Sequence, residues 1–110
     1  MKTLIFSLLI SCPMIMKSQH KKIIVKDGNN QIEQIGFLNQ NNQKDSSWSF
    51  FNGDKIISQG FFKNGIKDGS WLSYYDNQKP SIEIVYNVGE KILGRRWDEN
   101  GNLIETKNFK

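Results

Sequence analysis

The chain has 110 residues, 15 Lys and Arg against 11 Asp and Glu, and a net charge of +4. That length allows one domain, and its lysines alternate with acids along the sequence, which argues against a nucleic-acid-binding stripe. A single cysteine and a single histidine exclude a disulfide framework and leave nothing for a Cys–His or Ser–His catalytic pair within the body of the chain.

Residues 1–19 begin with Lys2, continue through Leu4-Ile5-Phe6-Ser7-Leu8-Leu9-Ile10, and close on Ser18-Gln19. This is the layout of a secretory signal peptide. The apolar run is too short for a bilayer span, which takes ~20 apolar residues, and Pro13 and Lys17 follow it closely. Cutting after Ser18 places Met16 at the −3 position, and cutting after Gln19 places Lys17 there. An alternative is that Leu9-Ile10-Ser11-Cys12 is a lipobox and Cys12 a lipidated N-terminus, although Pro13 to Met16 extend the apolar region beyond it. The expected location is the periplasm or the extracellular space, with a lipoprotein anchored through Cys12 as the alternative. The expected organisation is a signal peptide at 1–19 and one domain at 20–110. Removing the leader takes Lys2 and Lys17 with it and lowers the net charge to +2. The exported part then contains no cysteine, so packing and sheet hydrogen bonds alone must stabilise it.

No helical period appears; short β-rich runs alternate with turn residues every eight to twelve positions or so. Lys22 to Val25 precedes the turn Asp27-Gly28-Asn29-Asn30, and Ile32 to Leu38 precedes an amide-rich loop from Asn39 to Ser46. Trp48 to Phe51 runs into Asn52-Gly53, which predicts a type I′ hairpin centred on those two residues. Ile56 to Phe62 leads to Asn64-Gly65, and Trp71 to Tyr75 leads to Asp76-Asn77. Ile82 to Tyr86, Ile92 to Trp97 and Leu103 to Thr106 complete about eight strands. The doublets Ile56-Ile57, Phe61-Phe62 and Tyr74-Tyr75 break strict alternation, which predicts either cover on both faces or a β-bulge.

These runs repeat. Gly36-Phe37-Leu38 aligns with Gly60-Phe61-Phe62 at a step of 24, and Trp48 aligns with Trp71 at a step of 23. Tyr86-Asn87-Val88-Gly89 follows Phe62-Lys63-Asn64-Gly65 at 24, and Arg96-Trp97 then falls near Tyr74-Tyr75. A unit of two strands cannot bury its own aromatic residues, so stacked units make a continuous sheet. The segment from Gly60 through Gly65, Gly69, Trp71 and Tyr75 to Asn77 resembles the bacterial MORN-type repeat, G-x-[FYW]-x-x-G-x-x-x-G-x-W-x-x-Y-[YF]. The copy starting at Gly36 has Asn41 and Asp45 in place of two of the glycines. The last copy keeps Gly89, Gly94 and Gly101 but shifts its tryptophan. Similar exported proteins belong to a family often labelled toxin–antitoxin system antitoxin component. The resemblance implies an all-β fold, a single antiparallel twisted sheet of consecutive hairpins. It also implies turn positions at Gly60, Gly65, Gly69, Gly89, Gly94 and Gly101.

No catalytic residue is assigned. An adenylyltransferase label carried by some relatives needs a [HT]-x-G-H motif on a parallel scaffold, whereas the one histidine, His20, stands beside the cleavage region. The aspartates at 27, 54, 68, 76 and 98 adjoin Gly or Asn, where accepting backbone hydrogen bonds is their expected role. Asp98 to Asn102 has Leu103 where a calcium loop would need glycine, so no metal and no cofactor are expected. Trp48, Trp71, Tyr75 and Trp97 are the candidate binding residues, with packing between hairpins as their competing role. Arg95-Arg96 reads as a charge pair protecting an edge strand. The chain is therefore expected to be a non-catalytic, monomeric, exported repeat module acting as a structural or protein-interaction element. Alternatives are an antitoxin-like or immunity-like factor, and a peripheral lipid-headgroup binder. No nucleic-acid partner is expected, and the membrane is expected only through Cys12 or weak peripheral contact.

Overall fold

A computed structural model of the chain describes residues 20–110. The signal peptide read from the sequence, its cleavage site and Cys12 lie outside those residues. The described part contains no helix and forms one open sheet of nine strands. These are β1 (Lys21–Lys26), β2 (Ile32–Leu38), β3 (Lys44–Asn52), β4 (Lys55–Lys63), β5 (Ile66–Lys67), β6 (Gly69–Tyr74), β7 (Pro80–Asn87), β8 (Glu90–Trp97) and β9 (Leu103–Asn108). Every pairing is antiparallel and, apart from that of β4 with β6, joins neighbours in the chain, so the sheet is an up-and-down meander from β1 at one edge to β9 at the other. β5 and β6 share one line of the sheet, both pairing with β4. They are separated by a bulge in which the Asp68 amide donates to the Phe61 carbonyl at 3.0 Å and Gly69 adopts φ +82°. This bulge accounts for the ninth strand.

The turns explain why Asn, Asp and Gly punctuate the sequence. Four of them share one five-residue form, at 27–31, 39–43, 75–79 and 98–102. In each the first amide donates to the fifth carbonyl and the fourth amide donates to the first carbonyl. The fourth residue is left-handed in all four: Asn30, Asn42, Gln78 and Gly101. Asp27, Asn39 and Asp98 each accept two further amide hydrogens on Oδ1, the Asx geometry that favours these residue types. Two turns have the type I′ signature of positive φ at both central residues, Asn64-Gly65 (51° and 84°) and Val88-Gly89 (46° and 87°).

The expected type I′ turn at Asn52-Gly53 is shifted by one residue. Asn52 pairs with Lys55, so Gly53 and Asp54 are central, and only Gly53 has positive φ (66°), the pattern of type II′. The amide-rich loop is also shorter than expected, because β3 begins at Lys44 and absorbs Ser46 as a left-handed bulge residue (φ 65°). Nor are Gly60 and Gly94 turn residues. Both lie inside strands, β4 and β8, where an aromatic ring occupies the space of a side chain. The apolar doublets have two explanations. A register shift between Phe50 and Phe51, opposite Ser58 and Ile56, leaves Ile57 out of the ladder. Phe61 and Phe62 alternate normally, with Phe61 exposed and Phe62 packed on the other face. Arg95 and Arg96 lie on β8, which is not an edge, since β9 covers it. They pair across strands with Glu83 and Glu105.

Candidate functional site

With a single sheet there is little interior, and the only buried hydrophobic residues among those described are Trp48 (2% exposed) and Trp71 (8%). Their burial depends on glycine. Trp48 pairs with Gly60 and Trp71 with Ile84, but each indole leans back over the strand before it. A Cβ at Gly36 would overlap the ring of Trp48, and one at Gly60 would overlap the ring of Trp71. Each indole N–H then donates to the carbonyl of the residue after that glycine: Trp48 Nε1 to Phe37 at 2.9 Å and Trp71 Nε1 to Phe61 at 2.8 Å. This pairing of Gly with Trp explains the Gly-then-Trp repeat. Phe109 does a similar thing at the far edge, lying against Gly94. Phe62 stands between the two indoles, edge-on to both, at 6.2 Å from Trp48 and 5.0 Å from Trp71.

The same face carries a row of lysines. Lys44 Nζ lies 4.8 Å from the Trp48 ring and 5.2 Å from Phe62, and Lys67 Nζ lies 4.8 Å from Trp71 and 5.4 Å from Tyr86. Lys91 Nζ is 5.7 Å from Phe109. The rings attract the ammonium groups without neutralising them. Lys21 joins the row through its pairing with Leu38, which pairs in turn with Lys44. Thus the outward surface over the tryptophans is ammonium rather than indole.

The four aromatic candidates separate into two pairs. Trp48 and Trp71 are joined through Phe62 in the middle of the sheet. Tyr75 and Trp97 meet at one end of the strands, where the Tyr75 hydroxyl donates to the Trp97 carbonyl at 2.6 Å and Asn77 donates to Glu99 at 3.0 Å. At the other end Asp45 and Asp68 clasp the next unit's turn. Asp45 Oδ1 accepts from the Asn64 amide and Asp68 Oδ1 from the Val88 amide, while Gly65 and Gly89 donate to the carbonyls of Lys44 and Lys67.

Several carboxylates are occupied in this way across the sheet. Glu83 accepts from the Ser70 hydroxyl at 2.6 Å and from Arg95 at 2.7 Å, and those two bonds, Ser70 first, hold its carboxyl below the usual range. Asp45 is lowered chiefly by its bond to His20 Nε2 at 2.6 Å, and Asp98 by the amide of Asn102 in its turn. Among the described residues no group of three His, Cys, Asp or Glu side chains is placed to hold a metal. The lysine row escapes a reading that looks for aromatic spacing, although Lys21, Lys44, Lys67 and Lys91 recur at steps of 23, 23 and 24.

No family model matches the sequence, and no curated protein matches it. Among solved structures, the chain is similar to Staphylococcus aureus TarM, in the crystal structure of its G117R mutant with fondaparinux, alpha-GlcNAc-glycerol and UDP. The TM-score is 0.49 at 13% sequence identity, over 91% of this chain. The chain spans 22% of the length of that protein.

Proposed function

We propose that the chain is a non-catalytic, exported repeat module that acts as an interaction element in the periplasm or at the cell surface. The observation that supports this reading most is the repeated unit itself. Two successive units share the same Gly–Trp packing and the same Asp clasp, and an outward lysine recurs four times, so one chemical surface repeats along the sheet instead of converging on a point. Catalysis by acids and bases needs convergent, available carboxylates. Here Asp45, Asp68, Glu83, Asp98 and Glu105 are each committed to an amide, a hydroxyl, a histidine or an arginine. The MORN-like spacing around Gly60 to Asn77 and the leader-like residues 1–19 agree with an exported repeat protein.

The test is capture from envelope fractions on the immobilised chain. A component bound by the native protein and lost when Lys44 and Lys67 are replaced by Glu is the expected result. Turnover of an envelope substrate by the purified chain, abolished by a single carboxylate-to-amide change, would overturn the reading.

A further inference from the structure

We propose that the lysine row binds a linear anionic polysaccharide lying across the strands, with an acidic group on every second sugar. The proposal rests on the reading of the sheet as an interaction module and names its partner class. Lys21, Lys44, Lys67 and Lys91 stand on β1, β3, β5 and β8, which are alternate lines of the sheet. With strands ~4.8 Å apart, their backbones recur every ~10 Å along a row about 30 Å long. Between consecutive lysines the intervening line places an apolar side chain: Leu38, then Phe62, then Tyr86.

The alternation selects the polymer. A chain of pyranose rings with an acid on every second ring offers charge, then a largely C–H surface, at a matching step. The acid meets a lysine, and the neutral ring meets an apolar or aromatic side chain. A nucleic-acid strand carries a phosphate on every unit, and a fluid lipid surface has no fixed step. Local charge favours an anion as well. Within the lysine row and the two rows beside it, the basic groups are Lys21, Lys44, Lys67, Lys91, Arg96 and Lys107, and the one acid, Glu105, is paired with Arg96. The acids that follow Lys44 and Lys67 in sequence are held at the ends of the strands by hydrogen bonds, Asp45 with His20 and the Asn64 amide, Asp68 with the Val88 amide.

Calorimetric titration of the full chain with hyaluronan oligosaccharides of increasing length tests this, since their acid lies on alternate sugars. Affinity is expected to rise with length and to level off once an oligosaccharide carries four acids, one for each lysine. Lys67→Gln is expected to weaken binding about fivefold at low ionic strength. Lys67→Arg is expected to keep it, and so is Lys63→Gln, on the opposite face. Circular dichroism of each variant separates lost binding from lost folding. Four results overturn the proposal: no binding at low salt, equal binding of neutral cello-oligosaccharides, equal loss in Lys63→Gln and Lys67→Gln, or preference for phosphatidylglycerol vesicles. Any of these with envelope capture intact removes the glycan and leaves the interaction module standing.

Discussion

Glycine at position 60 and valine at position 88 show how much a single backbone position decides here. Gly60 has no special φ; what requires it is the indole of Trp71, which lies where a Cβ would be. Gly60→Ala must push that ring outward and break its 2.8 Å bond to the Phe61 carbonyl. A loss of about 2–4 kcal/mol is expected from urea denaturation. Gly28→Ala is the control, since a Cβ there meets nothing within 4 Å and φ is not positive, and it is expected to be near neutral. Val88 is the opposite case. It is 54% exposed and left-handed at φ 46°, a conformation that a β-branched residue adopts at a cost. Asn64 occupies the equivalent turn position one unit earlier. Val88→Asn is therefore expected to stabilise the chain by roughly 1 kcal/mol, read as a rise in the denaturation midpoint.

Between strands, stability depends on carboxylates whose pKa values are held low, and this sets the acid response. Asp45 and Glu83 lie below their usual values of 3.8 and 4.5 because the folded state bonds the ionised form. A lowered folded pKa gives stability that is complete above the unfolded value and is lost as pH falls through the folded one. Stability is thus expected to be level from neutrality to about pH 5 and to decline below about pH 4, measured as denaturation midpoints across that range. Glu83→Gln keeps the side-chain shape and removes the titration, so its decline is expected to be shallower. The Arg95 partner lies beside β9 on a covered strand, so this pair holds strands together and does not guard an edge.

At the scale of the molecule, strands pair only with their neighbours in the sheet, and among the described residues no second layer closes over it. Stability then accumulates from one unit to the next and fades at the ends. β9 is exposed along its whole length, and β1 presents Lys21, Lys22 and Lys26, which discourage pairing with another edge. Amide hydrogen exchange is expected to be slowest in β4 and β6, beneath Trp71, and fastest in β1 and β9. Uniform protection across the sheet would contradict nearest-neighbour stabilisation.

The meander and most strand positions were legible in the sequence because turn chemistry is local: Asn and Gly take most of the left-handed positions, and Asp27 and Asp98 accept the amides of their own turns. The spacing of Gly and Trp was legible too, but its meaning was not. Gly60 and Gly94 resembled turn residues until the sheet placed an indole over one and Phe109 against the other, since ring-over-glycine packing joins residues on different strands. Charge behaved in the same way. Lys21, Lys44, Lys67 and Lys91, spaced 23 or 24 residues apart, come to share one face only because pleating and bulges set which residues lie on it. Local backbone preference wrote the hairpins into the sequence, while cross-strand register alone decided that the tryptophans would be buried and that the lysines above them would form the outward surface.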